Sequence, residues 1–94
     1  MAQRTHTPPP ALTACTVSIP GIMPERTYPT VAAAGQALWE ELRALPMGWL
    51  QAEAYRALLT DPALLHDHLT SRGPQALSFT LDGEPQQVLI GMAA

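Results

Sequence analysis

A chain of 94 residues that is 47% hydrophobic and 14% charged has room for one core, and it is too apolar to be a disordered segment. Its net charge of −3 and its five cations, all arginine and scattered (Arg4, Arg26, Arg43, Arg56, Arg72), speak against binding nucleic acid by neutralising phosphates. Eight acidic residues are too few for a DNA mimic. Lysine and asparagine are absent while alanine and proline abound, the residue usage of a GC-rich genome, which points to a high-GC bacterium or its phage.

Residues 1–11, MAQRTHTPPPA, read as a disordered proline-rich tail, and residues 12–94 as a single small α+β domain. Neither this start nor any other stretch has the uninterrupted apolar run of a signal peptide or of a membrane span, so the expected compartment is the cytoplasm. The β-branched alternation of ACTVSI, 14–19, predicts a first strand that Pro20 and Gly21 end. Cys15 lies in it and reads as a small buried hydrophobe; one cysteine allows no internal disulfide.

The next stretch, SIPGIMPERTYPT, holds three prolines and a glycine together with Ile22, Met23 and Tyr28. It is read as a connection whose middle, Ile22 to Arg26, either covers the core or faces a partner. Thr30 is a natural N-cap, and Val31, Ala34, Leu38, Leu42 and Leu45 recur at helical spacing, so a helix is predicted from Thr30 to Leu45 with Pro46 as its stop. Gly35 inside it implies close packing on another backbone. A second helix is predicted over 49–59, with Leu50, Ala54, Ala57 and Leu58 inward. Asp61 and Pro62 open a third, closed by Gly73, with Leu64, Leu65 and Leu69 buried.

ALSFTL and EPQQVLIGM flank Asp82-Gly83, a two-residue hairpin signal. Pairing outward sets Leu81 against Glu84, Phe79 against Gln86 and Leu77 against Val88, and a one-residue slip would scatter the apolar face. Pro85 lacks a donor, so the first half of the last strand must have no neighbour on its far side. The predicted fold is α+β: a three-stranded antiparallel sheet in the order β-α-α-α-β-β, with two to three helices on one face.

Chemical motifs are sparse. His66 and His68 in LHDHL are two apart and diverge on a helix, whereas one metal wants ligands three or four apart, so no metal site is expected. Ser71, Asp67 and a histidine can be drawn as a catalytic set, but no nucleophile elbow or oxyanion loop accompanies them. Glu40 and Glu41 are adjacent on a helix and cannot converge on one atom. Phosphate-cradling and calcium-loop patterns are missing, so no catalytic residue and no cofactor is expected.

What remains is apolar and aromatic. Trp39, Trp49 and Tyr55 border the helical stripes, and with Tyr28, Ile22, Met23 and Arg26 they form the candidate partner-binding set. The leading reading is a small non-catalytic protein-binding domain, regulatory or inhibitory, that occludes or bridges a partner protein. A homodimer through a strand edge or the aromatic border, and inhibition of a host defence complex, are forms this could take. A module binding a small molecule or peptide between helices and sheet is the alternative, and a small enzyme or enzyme subunit is the third. Neither nucleic acid, membrane nor metal is an expected partner.

Overall fold

A computed structural model describes residues 14–93. The predicted tail, 1–11, and the outermost residues of the predicted domain lie outside the described residues. The class is α+β, with β1 (Cys15–Ile19), β2 (Met23–Tyr28), α1 (Val31–Leu42), α2 (Trp49–Leu59), α3 (Pro62–Arg72), β3 (Gln75–Leu81) and β4 (Glu84–Met92).

The sheet has four strands, not three, in the order β2-β1-β4-β3, and every pairing is antiparallel. The additional strand is β2, inside the stretch read as a connection. Pro20-Gly21 does not merely end β1: Gly21 has φ +83° and the Ile22 amide donates to the Ile19 carbonyl at 2.8 Å, the geometry of a tight turn with Pro second and Gly third. The chain therefore doubles back. Val17 pairs with Arg26 and Ile19 with Met23, so Pro24 and Glu25 together oppose the single residue Ser18 in a bulge.

The C-terminal hairpin has the expected register, including Leu77 on Val88, Phe79 on Gln86 and Leu81 on Glu84. Asp82 and Gly83 both take positive φ, 53° and 78°, as that turn requires. Pro85 sits opposite Thr80, and β1 reaches only residues 89–92 of β4, so the strand is free on its far side where the proline lies. At the other end the Ala93 amide donates to the Ala14 carbonyl at 3.1 Å, extending the β1–β4 ladder.

One face of the sheet is apolar. Cys15, Val17, Ile19, Phe79, Val88 and Ile90 are buried beneath the helices. The opposite face carries Thr16, Ser18, Ser78, Thr80 and Gln87, with Leu89 partly exposed. The helices begin and end where their caps direct. The Thr30 hydroxyl accepts from the Ala33 amide at 2.9 Å, and Asp61 Oδ1 accepts from the Leu64 amide at 3.1 Å, with Pro62 in the first turn. Val31, Ala34, Leu38 and Leu42 form the buried stripe of α1, and Leu45, past the helix end, is half-buried.

Gly35 lies against α2. A Cβ built there would fall on the Leu59 carbonyl oxygen and come within 3.1 Å of Leu65 Cδ2. In an ordinary helix interior Gly→Ala gains about 1 kcal/mol. Here Gly35→Ala should instead cost about 1–3 kcal/mol, because backbone must move to admit the methyl group. Urea denaturation measures the difference, and a variant more stable than wild type would contradict this packing.

Candidate functional site

The rotation of α2 about its axis decides what the protein shows to solvent, and two side chains set it. Gln51 reaches the outer edge of β3, where its Nε2 donates to the Thr80 carbonyl at 3.0 Å and its Oε1 accepts from the Thr80 amide at 2.9 Å. One turn on, the Tyr55 hydroxyl donates to the Ser78 carbonyl at 3.1 Å, and its ring meets Phe79 edge-on at 6.0 Å. Thr80 and Ser78 face away from β4, so these bonds satisfy groups that a bare sheet edge would leave open. Burial raises the Tyr55 phenol above its ordinary pKa.

That rotation corrects the expected inner face of α2. Tyr55 and Leu59 are the buried residues. Leu58 is half-buried, while Ala54 and Ala57 are exposed and Leu50 is 70% exposed rather than inward. Trp49 beside it is 73% exposed. Likewise on α3, Leu65 and Leu69 are buried, but Leu64 is 42% exposed rather than inward. Gly48 caps α2 without a side-chain hydrogen bond, and the Trp49–Leu50 shoulder follows it directly. Gln51 lies by Thr80 and Tyr55 by Ser78, so α2 runs antiparallel to β3, and the shoulder sits at the end that holds the Asp82-Gly83 turn.

The seven residues of the predicted partner-binding set do not converge. Met23 and Tyr55 are buried in the core, and Ile22, Tyr28 and Trp39 are half-buried against it. Arg26 and Trp49 are exposed, but Arg26 belongs to β2 at one edge of the sheet while α2 holds Trp49 beside β3 at the other. Leu50, Ala54 and Leu58, expected on the inward face of α2, are instead exposed, exposed and half-buried. Their spacing of four was visible, yet α2 carries two apolar stripes, and spacing alone does not say which one turns inward.

Between α2 and the edge of β3 lies an open groove of about 270 Å³, lined by Ala54, Tyr55, Leu58, Leu77 and Ser78. A second hollow, about 440 Å³, lies on the helix-free face of the sheet against Thr16, Ser18, Ala76, Leu89 and Gly91. His66 and His68 lie half-buried on α3. Among the described residues no three His, Cys, Asp or Glu groups gather as metal ligands, and no hydrogen bond joins Ser71 to His68 or Asp67. No helix of the described chain is long and apolar enough to cross a membrane.

The one thiol is inaccessible. Cys15 is fully buried, and burial pushes it up to about 11 against a partly opposing backbone hydrogen bond from Gly91. Because the folded pKa is raised, the neutral thiol's contribution is complete below the unfolded pKa of 9.0 and is lost as pH climbs through about 11. A two-unit shift corresponds to about 3 kcal/mol. Stability should therefore fall between these two values in pH-dependent melting. Cys15→Ala should flatten that part of the decline while costing stability at pH 7 through the cavity it leaves. An unchanged alkaline slope would count against a buried thiol.

No protein-family model matches the chain, and neither a curated protein nor a solved structure matches it.

Proposed function

We propose that the chain is a small non-catalytic protein-binding domain that acts by occluding or bridging a partner protein. The observation that carries this reading is the shoulder of α2. Two adjacent large apolar side chains, Trp49 and Leu50, stay more than two-thirds in water beside a core that closes without them. Each forgoes roughly 1.5–3 kcal/mol of burial within the chain, and contact with a partner recovers it. Tryptophan is also the side chain most often found at the energetic centre of protein interfaces. The low charge of the sequence supports the same reading, since interface centres are poor in charged residues.

Residue usage supports a high-GC bacterium or its phage as the source, and a stand-alone binder of this size fits a regulator or an inhibitor of a host defence complex. A lone buried cysteine fits a reducing cytoplasm. A second reading, peptide binding, draws on the groove between α2 and β3, which is wide enough for one apolar side chain. Peptides with a single central leucine or phenylalanine that raise the melting temperature in proportion to concentration would favour it.

The test is affinity capture from extracts of high-GC bacteria with tagged wild type and the Trp49→Ala/Leu50→Ser double variant. Loss of one interface hot spot costs about 2 kcal/mol or more, so the double variant should retain its partner at least ~30-fold less well. Its melting temperature should stay within a few degrees of wild type, since both side chains lie outside the core. Equal capture by the two proteins would overturn the assignment of this shoulder.

A further inference from the structure

Charge is unevenly placed on this domain, and most of it lies around the Trp49–Leu50 shoulder. Gly35 of α1 meets Leu59 of α2, and only residues 43–48 join the two helices. The helices therefore run antiparallel, and the end of α1 lies beside the start of α2. That places Glu40 and Glu41 with Glu53 at the shoulder end, and the hairpin turn at the same pole adds Asp82 and Glu84. All five are exposed. Two arginines stand against them, and each is already held: Arg43 by Glu40 at 3.5 Å and Arg56 by Glu53 at 2.9 Å. Five carboxylates against two arginines leave three negative charges at this pole. The rest of the described domain is nearly balanced, with Glu25, Asp61 and Asp67 against Arg26 and Arg72. Arg26 lies on the outermost strand at the opposite edge, and Arg72 ends α3 just before β3 begins, at the other pole.

We infer that the partner docks through a cationic segment: an apolar anchor for Trp49 and Leu50 with lysine or arginine on either side of it. This rests on the reading of the shoulder as a docking surface and names the chemistry that fits it. Stable interfaces combine an apolar centre with a polar rim, and the potentials of the two partners are complementary. Here the centre is the exposed Trp49–Leu50 pair. Among the described residues, Glu41, Asp82 and Glu84 have no arginine within ion-pair distance. A basic side chain that reaches one of them gains a partner without breaking a pair inside the domain.

The same distribution argues against the other occupants. Two shoulders docked face to face would set three negative charges against three, so a second copy of the chain is the wrong partner. Nucleic acid and anionic membranes share the sign of this pole. Attraction of this kind acts mainly on the rate of encounter, while the apolar contact decides how long the complex lasts.

The probes are three synthetic helices of about 18 residues, with leucine at every third and fourth position and lysine, glutamine or glutamate elsewhere. In fluorescence anisotropy with the full chain at ~20 mM salt, the lysine peptide should bind at least ~10-fold more tightly than the glutamine peptide, and the glutamate peptide more weakly than either. Salt at ~0.5 M should close most of that gap. Asp82→Asn/Glu84→Gln should weaken the lysine peptide ~3–10-fold at low salt and leave the glutamine peptide unchanged. Both positions are exposed and asparagine suits the turn, so the circular dichroism should stay that of wild type. Glu25→Gln/Asp67→Asn removes the same charge elsewhere and should bind as wild type does. Trp49→Ala/Leu50→Ser should weaken the lysine and glutamine peptides alike, by ~10-fold or more. A lysine peptide that fails to bind, or that responds equally to the two charge variants, overturns the inference. So does one that ignores the Trp49/Leu50 change, since the attraction would then be to net charge alone. Lysine and glutamine peptides that bind equally, and both lose affinity in the Trp49/Leu50 variant, remove the cationic partner and leave the docking surface standing. Binding of every peptide that is indifferent to Trp49 and Leu50, together with unaltered capture from extracts, removes the docking surface itself.

Discussion

The meeting of Gly35 with the Leu59 carbonyl is the constraint on which the remaining architecture depends. Helix α1 lies directly on β1 and β2, and its buried stripe also takes the inner faces of α2 and α3. A stripe four side chains long can serve sheet and helices together only if one neighbour comes close enough to touch backbone. Glycine grants that approach at the end of α2. From there the helix leads back along β3, bringing Tyr55 under the edge of the strand and Gln51 beside its end. If α2 were held a methyl group further away, these two side chains would lose their reach to the carbonyls of Ser78 and Thr80. The outward rotation of Leu50 is thus fixed from a position 15 residues earlier in the sequence.

Each edge of this sheet is blunted by a different device. The outer strand β2 is bent by its bulge and interrupted by Pro24. β3 is covered in part by polar side chains from α2, and the half of β4 that β1 fails to reach contains Pro85 where a donor would otherwise face water. In a small domain with one helix-free sheet face, such protection keeps chains from adding strand to strand. Under the proposed protein-binding reading, association would have to use side chains, and the most exposed large apolar ones among the described residues, Trp49 and Leu50, are at the start of α2.

Much of the fold was legible, because local chemistry and burial agree there. The hairpin register follows from Asp82-Gly83 and the alternation around it. Thr30, Asp61 and Pro62 mark helix starts by the hydrogen bonds they make or forgo. β2 was hidden because MPERTY has no alternation and buries only Met23. Its one signal was Pro20-Gly21, which marks the end of a strand as well as a reversal into the next. The candidate site was less legible than the fold. Aromatic residues suggested a surface, yet Tyr55 has a backbone carbonyl to bond inside, while Leu50, read as core, has nothing inside to cover. Sequence spacing gives the faces of a helix; tertiary partners choose among them.

The ladder bond between Ala14 and Ala93 joins the two ends of the described chain at one pole of the sheet. The Asp82-Gly83 turn and the Trp49–Leu50 shoulder occupy the opposite pole, along the strand direction. A tether attached at either end would therefore hold the domain by its base and leave the apolar shoulder pointing outward. On the proposed protein-binding reading, anything carried on such a tether would sit a full strand length from a partner held at the shoulder.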